Sequence, residues 1–218
     1  MVKDKDNNIG FLFDLDGVLI DSETEYTRIW SEIDRRHPTG VDNFAIRIKG
    51  QTLPEILARN FPPELHQQIV DELNAEEQRM RYALLPGADS TLRRLAAEGI
   101  GRVLVTSSND MKMRHLREEL PGFESRFDHI VTADRVSRSK PDPEGYLLGA
   151  SLLGVKPERC VVIEDSAQGV RAGRAAGAYV IGLTTTLPAE RIADYCDEEH
   201  PTLAEIDLDD IINKLRSR

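Results

Sequence analysis

The sequence predicts an α/β protein in which a doubly wound parallel sheet carries a helical unit inserted after its first strand. From Pro86 onward, predicted helices and short apolar strands alternate, which is typical of a parallel sheet with helices on both faces. Between the first strand and that point, the apolar spacing is helical and no strand pattern occurs. We therefore predict an α/β core of residues 1–21 and 85–218 and a helical cap of residues 22–84.

Each predicted element follows from apolar spacing and from the residues that start or stop helices. Ile9 to Phe13 is a short run of β-branched and aromatic residues, which indicates a buried strand. Ser22 is predicted to cap the first helix of the insert, because its hydroxyl can accept a backbone hydrogen bond there. The predicted helices cover residues 23–36, 53–60, 64–82, 89–98, 111–120, 143–153, 167–176 and 208–215. The remaining predicted strands cover residues 102–105, 129–132, 161–163 and 179–183.

Composition argues against several classes of protein. The 218 residues carry a formal charge of -10 at pH 7, which argues against a general affinity for nucleic acid or for an anionic membrane. No apolar run approaches the length that spans a membrane, and the two cysteines, Cys160 and Cys196, show no paired spacing. We therefore expect a soluble protein of the reducing cytoplasm, and nothing in the sequence demands more than a monomer.

Two aspartates one residue apart, Asp14 and Asp16, follow the first predicted strand. Side chains alternate along a strand, so the two carboxylates lie on the same side if the extended conformation continues. They repel each other unless a positive group shares them, and magnesium is the oxygen-binding cation that suits them. An Asp-x-Asp can also be a solvated turn, or can hold the metal of a glycosyltransferase. Its position after an apolar strand and before Gly17 favours a catalytic site.

Polar residues also follow two later strands, and a lysine precedes a later helix. Thr106 and Ser107 follow the second strand, Lys140 precedes a helix, and Glu164-Asp165 follows the strand of residues 161–163. Taken singly, these residues have ordinary explanations, as helix caps or as a solvated surface lysine. Because ligands of such sheets bind at the carboxyl ends of the strands, we expect the set to converge on one cleft with the two aspartates.

With these motifs in place, the chain resembles the haloacid dehalogenase superfamily. Within it, the chain resembles specifically the branch that contains β-phosphoglucomutase and small sugar-phosphate phosphatases. The motifs that carry the resemblance are Asp14-Leu15-Asp16-Gly17-Val18, Thr106 with Ser107, Lys140-Pro141 and Glu164-Asp165-Ser166. The resemblance covers nearly the whole chain and implies a Rossmann-like core, a helical cap and magnesium-dependent phosphoryl transfer from a small phosphorylated substrate.

The resemblance also implies a role for each matched residue. Asp14 is expected to be the nucleophile that forms an aspartyl-phosphate, and Asp16 the general acid and then the general base. The expected phosphate-binding residues are Thr106, Ser107 and Lys140. The expected magnesium ligands are Asp14, the backbone carbonyl of Asp16, and Asp165, with Glu164 supporting the metal shell.

The cap residues favour a phosphatase over a mutase. Mutases of this branch resemble one another in carrying a histidine in the first cap helix, where this chain has Tyr26. They also carry an arginine after a Lys-Gly pair in the cap. Here Lys49-Gly50 is present, but Leu53 stands where that arginine is expected. We predict a phosphatase for a small metabolite, in particular a sugar phosphate, with Tyr26, Lys49 and Gln51 as specificity residues. A phosphosugar mutase and a non-catalytic phosphate-binding protein are the alternatives.

Overall fold

A computed structural model describes residues 9–49, 51 and 53–217 of the chain. Within these residues, six strands form one sheet in the order β3-β2-β1-β4-β5-β6, and every adjacent pair is parallel. The predicted parallel α/β fold is therefore confirmed. The strands are β1 (Gly10–Phe13), β2 (Gly101–Val105), β3 (His129–Val131), β4 (Cys160–Glu164), β5 (Tyr179–Leu183) and β6 (Glu198–His200).

The helices fall into two groups along the chain. Four helices of the inserted segment lie between β1 and β2: α1 (Glu23–Arg36), α2 (Phe44–Arg47), α3 (Leu53–Asn60) and α4 (His66–Glu77). The later helices are α5 (Ala88–Ala97), α6 (Asp110–Glu119), α7 (Glu144–Leu153), α8 (Ala167–Ala176) and α9 (Leu208–Arg216). Among the described helices, none is both long enough and apolar enough to cross a membrane.

The central strand β1 positions the site. It is buried throughout and pairs with β2 on one side and β4 on the other, with Phe13 opposite Leu104 and Ile163. Because the three strands are parallel and in register here, their carboxyl ends lie side by side at one edge of the sheet. Full burial of an aromatic side chain such as Phe13 contributes roughly 1.5–3 kcal/mol relative to exposure. The burial of β1 therefore stabilises the position of the strand end that carries Asp14.

The inserted helices pack around an aromatic group that is continuous with the main hydrophobic core. Trp30, Phe44 and Phe61 pack with ring centroids 5.6–6.5 Å apart, and all three are buried. The segments that enter and leave the inserted helices are hydrogen-bonded to each other: Asp21 N donates to Ala83 O, and Leu85 N donates to Leu19 O. These contacts support our division into a core and a cap at residues 21/22 and 84/85, which remains a proposal.

Several predicted boundaries are wrong, for identifiable reasons. The predicted helix over 64–82 begins as a 3-10 turn at Pro63–Leu65 and ends at Glu77, because the positions one helical turn after the buried Leu73 are glutamates, Glu76 and Glu77. Strand β6 was not predicted, since its sequence of two glutamates and a histidine has no apolar alternation.

Ser22 occupies the N-cap position of α1 but makes no capping hydrogen bond. The Asp21 carboxylate does so instead, accepting from Thr24 N at 3.0 Å and from Thr24 Oγ1 at 2.7 Å.

Candidate active site

Three carboxylates meet at the carboxyl edge of the sheet. Asp14 directly follows β1, Glu164 ends β4 and Asp165 follows it, and all three are buried. Their nearest ligand atoms lie within 4.8 Å of one another. The neighbouring ends of two parallel strands thus bring together side chains that are 150 residues apart in the sequence, as the strand-end pattern predicts.

Lys140 lies between two of these carboxylates. Its Nζ donates to Asp14 Oδ1 at 2.5 Å, to Glu164 Oε1 at 2.7 Å and to the Val105 carbonyl at 3.1 Å. Burial opposes its charge, but Asp14 and Glu164 hold the pKa of Lys140 well above its ordinary value. An ammonium has three N–H donors, and all three have partners in this arrangement. Lys140 therefore neutralises and orients Asp14.

Glu164 is the most heavily hydrogen-bonded of the three carboxylates. Besides Lys140, it accepts from Tyr146 Oη at 2.7 Å, from Asp165 N at 3.0 Å, and from Ser166 N and Oγ at 3.1 and 3.0 Å. Gly169 of α8 makes room for it, since a Cβ there would lie 1.7 Å from Oε1. Burial raises the pKa of Glu164, but these partners and Lys140 outweigh it, and the pKa is lowered. Glu164 is thus a fixed anchor of the cluster.

The cluster is able to hold a metal ion. Burial, together with the charges of Glu164 and Asp16, raises the pKa of Asp14 from 3.8 to about 7, although Lys140 opposes this rise. Burial also raises the pKa of Asp165 well above its ordinary value, with Glu164 and Asp14 adding to the effect. These two carboxylates are destabilised as anions in the absence of a further positive charge. Closely spaced carboxylate oxygens are the donors that hard divalent cations prefer, so the residues fit such an ion.

The Asp16 carboxylate lies outside this cluster and is held by a different lysine. Lys112 Nζ, from the first turn of α6, lies 2.7 and 2.8 Å from its two oxygens, and Ser108 Oγ donates at 3.2 Å. Burial raises the pKa of Asp16, but Lys112 and the hydrogen bonds lower it below the ordinary value. Lys112 also lies 5.3 Å from the centre of the Tyr26 ring, on α1. Sequence reasoning missed both Lys112 and Ser108.

The two candidate phosphate-binding hydroxyls differ in position. Thr106 is buried next to β2, and its Oγ1 accepts from Ser108 N at 3.0 Å, which leaves its hydroxyl hydrogen able to donate. Ser107 is exposed. It lines a small cavity together with Thr106 and Lys140. Of the two, Thr106 is the one whose hydroxyl is held in position by a backbone hydrogen bond.

Two cavities lie beside the inserted helices. The first, which we call the cap chamber, measures about 290 Å³ and is lined by Tyr26, Trp30, Ile48, Gln51, Leu53 and Glu77, among others. The second, the hinge chamber, measures about 440 Å³ and is lined by Gly17, Asp21, Thr24, Thr185, Thr186 and Thr202, among others. Glu23, Thr27 and Lys49 line both. The two chambers therefore adjoin, and the hinge chamber reaches the glycine that follows Asp16.

All three predicted specificity residues line the cap chamber. Tyr26 Oη donates to Glu77 Oε1 at 2.8 Å, and Lys49 Nζ lies 3.2 Å from Glu23 Oε2. Gln51 Nε2 donates to the Arg47 carbonyl at 3.1 Å. Gly50, the partner of Lys49 in the Lys-Gly pair, lies outside the described residues.

Comparison with known proteins agrees with this geometry. The family described as haloacid dehalogenase-like hydrolase matches residues 10–177. Hexitol phosphatase A of Escherichia coli (strain K12) is 37% identical over 205 residues, which cover 91% of this chain and 88% of that protein. Validoxylamine A 7'-phosphate phosphatase of Streptomyces hygroscopicus subsp. limoneus is 37% identical over 193 residues, covering 84% of this chain and 89% of that protein.

A solved structure shows the same architecture. The HAD family hydrolase of Deinococcus radiodurans R1, crystallised with bound phosphate and sodium, is similar with a TM-score of 0.78 and 29% sequence identity. The similarity covers 96% of this chain and 97% of that one. The arrangement of sheet and inserted helices is therefore shared over almost the full length of both chains.

Proposed function

Because the chain belongs to the haloacid dehalogenase-like hydrolases, we propose that it is a magnesium-dependent phosphatase for a small sugar or sugar-alcohol phosphate. The observation that carries the proposal is the buried cluster of Asp14, Lys140, Glu164 and Asp165 beside the strand ends. In this cluster, the proposed nucleophile is already oriented by a cation. The two relatives described above are both phosphatases, which supports hydrolysis of a phosphate ester as the reaction class.

In the proposed first step, a carboxylate oxygen of Asp14 attacks phosphorus and the bond to the leaving oxygen breaks. The product is an aspartyl-phosphate, and Asp16 gives the leaving oxygen its proton. Asp14, Asp165 and the Asp16 carbonyl would hold Mg²⁺, with Glu164 as the anchor behind them. When bound, Mg²⁺ neutralises charge on the phosphoryl oxygens. Lys140 keeps Asp14 in position, and the Thr106 hydroxyl donates to a phosphoryl oxygen.

In the proposed second step, Asp16 removes a proton from water as the water oxygen attacks phosphorus. The bond between phosphorus and Asp14 then breaks, which releases inorganic phosphate and restores the Asp14 carboxylate and the protonated Asp16 carboxyl group. Lys112 and Ser108 aim Asp16 in the unliganded arrangement. Because Lys112 contacts both Asp16 oxygens and keeps the carboxylate ionised, Lys112 must move away from one oxygen, and Asp16 must take a proton from solvent, before Asp16 can protonate the leaving oxygen.

The two cysteines bear on the compartment in which the protein acts. Both cysteines are free thiols, Cys160 buried and Cys196 half-buried. Free thiols are the usual state in a reducing compartment. We propose that the enzyme acts in the cytoplasm as a monomer.

The proposed function is tested by phosphate release from a panel of sugar and sugar-alcohol monophosphates, with and without Mg²⁺. We expect release that requires Mg²⁺ and falls by at least about 10³-fold in Asp14→Asn, because the nucleophile is lost. β-Glucose 1-phosphate belongs in the panel, with glucose 6-phosphate measured in the same samples. Release that persists in Asp14→Asn would contradict the proposed nucleophile. Formation of glucose 6-phosphate without net release would show a mutase.

A further inference from the structure

We propose that the two chambers select the monophosphate of an uncharged polyhydroxy compound and exclude a substrate that carries a second anionic group. Glu23 is the excluding residue, because it adds negative charge to the lining and pairs with Lys49, so that this ammonium is not free to bind an anion. This inference rests on the proposed phosphatase function and adds the class of leaving group. The property that decides selection is the charge on the part of the substrate other than the phosphate that reacts.

The lining of the chambers suits hydroxyl groups. Glu23 and Thr27 are common to both chambers, and the hinge chamber adds four further threonines, Thr24, Thr185, Thr186 and Thr202. In the cap chamber, Gln51 Oε1 is buried and has no hydrogen-bond partner among the described residues. A buried acceptor without a partner is costly, and a ligand hydroxyl would supply the missing donor. Trp30 and Ile48 give the same chamber an apolar wall, against which the C–H face of a sugar can pack.

The cations near the cleft already have partners. Lys49 Nζ is 3.2 Å from Glu23 Oε2, Lys112 Nζ contacts both Asp16 oxygens, and Lys140 has three acceptors. Arg47 is exposed on α2 and is not among the lining residues of either chamber. A second phosphate or a carboxylate on the substrate would therefore find no unpaired cation among the described residues of the chambers.

Carboxylates outnumber cations along this lining. Asp21, Glu23 and Glu77 face the chambers, against Lys49 as the one ammonium among the described lining residues. Glu77 accepts a hydrogen bond from Tyr26 Oη and Asp21 accepts one from Thr24, while Glu23 pairs with Lys49 on the wall common to both chambers, so the described lining keeps a net negative charge. Like charges brought together at such a site oppose binding. A doubly phosphorylated intermediate, which a mutase must hold, is disfavoured for the same reason.

The wild-type enzyme tests the charge rule with a matched pair of probes, fructose 1-phosphate and fructose 1,6-bisphosphate, which differ by one phosphate. We expect kcat/KM for the monophosphate to exceed that for the bisphosphate by about 100-fold, with most of the difference in KM. Equal or higher efficiency with the bisphosphate would overturn the inference. Binding of both probes to Asp14→Asn, measured by calorimetry, decides the same question without turnover.

The role of Glu23 is tested by Glu23→Gln against Glu25→Gln. Both residues lie in the first turn of α1, but Glu25 pairs with Arg28 and does not line either chamber. Glu23→Gln removes the excluding charge and frees Lys49, so we expect kcat/KM for the bisphosphate to rise about tenfold, through KM. Glu25→Gln should leave the preference unchanged. Equal effects of the two variants, or no effect of Glu23→Gln, would overturn the assignment.

The proposed function and this inference fail in distinguishable ways. If no phosphate ester is hydrolysed, the phosphatase proposal fails, while the calorimetric comparison still decides the charge rule. If the monophosphate is hydrolysed in an Asp14-dependent reaction but the bisphosphate is preferred, the phosphatase proposal stands and the charge rule is wrong.

Discussion

Replacing Lys140 by methionine is expected to lower kcat by at least about 10³-fold and to destabilise the fold by about 3–5 kcal/mol. The side chains have similar length, so the main change is loss of the ammonium between Asp14 and Glu164. Two buried carboxylates then face each other without their shared cation, and Asp14 loses the donor that orients it. Phosphate release measures the first effect, and urea unfolding in Mg²⁺-free buffer measures the second.

Lys156→Met is the matched control, because Lys156 is exposed in the turn before β4. It should change neither quantity. The stability deficit of Lys140→Met should also shrink as the pH falls from 8 to 5. The raised pKa of Asp14, already about 7 with Lys140 present, means that protonation removes the uncompensated charge over this range. A Lys140→Met enzyme with turnover within tenfold of wild type would show that Lys140 does not orient the nucleophile.

Replacing Gly17 by alanine is expected to disrupt the metal site and to abolish turnover. Gly17 has φ +73°, and an added Cβ would lie 1.9 Å from Asp165 Oδ2 and 2.6 Å from Thr186 Oγ1. Asp165 must therefore move, in addition to a backbone strain of about 1–2 kcal/mol. We expect a drop in Mg²⁺ affinity of at least about tenfold, since displaced or altered support of ligands has effects of that size. Calorimetric titration of the unliganded protein with Mg²⁺ measures it.

Gly154→Ala separates strain from displacement. Gly154 ends α7 with a similar φ of +67°, but an added Cβ there meets nothing within 4 Å. This variant should show the loss of stability alone, with Mg²⁺ affinity and turnover unchanged. If both variants lose Mg²⁺ affinity equally, the effect arises from backbone strain and the proposed position of Asp165 in the metal site is wrong.

The sequence was most informative where a residue follows a buried strand. Asp14, Thr106 and Glu164 each follow or end an apolar run, and parallel pairing necessarily places such ends together. The parallel sheet follows from the same alternation. The resemblance drawn from the four motifs is confirmed by the family match, whereas the roles of individual residues remain proposals.

The sequence was least informative where a side chain finds its partner through folding alone. Lys112 stands in the first turn of a polar helix, where a lysine is ordinarily solvated, and its partner Asp16 lies 96 residues away. Tyr146 looks like a core aromatic of α7, yet its hydroxyl donates to Glu164. Such contacts depend on how helices pack against the sheet edge, and local apolar spacing does not report that.

The most direct test of the central claim, an aspartyl-phosphate on Asp14 that is hydrolysed with help from Asp16, is a rapid-mixing measurement on Asp16→Asn with p-nitrophenyl phosphate and Mg²⁺. p-Nitrophenolate is a good leaving group that needs no proton from Asp16, whereas water activation needs the base. We predict a burst of about one p-nitrophenolate per active site followed by slow turnover, and no burst from Asp14→Asn. Linear release from Asp16→Asn without a burst, or a burst from Asp14→Asn, would contradict it.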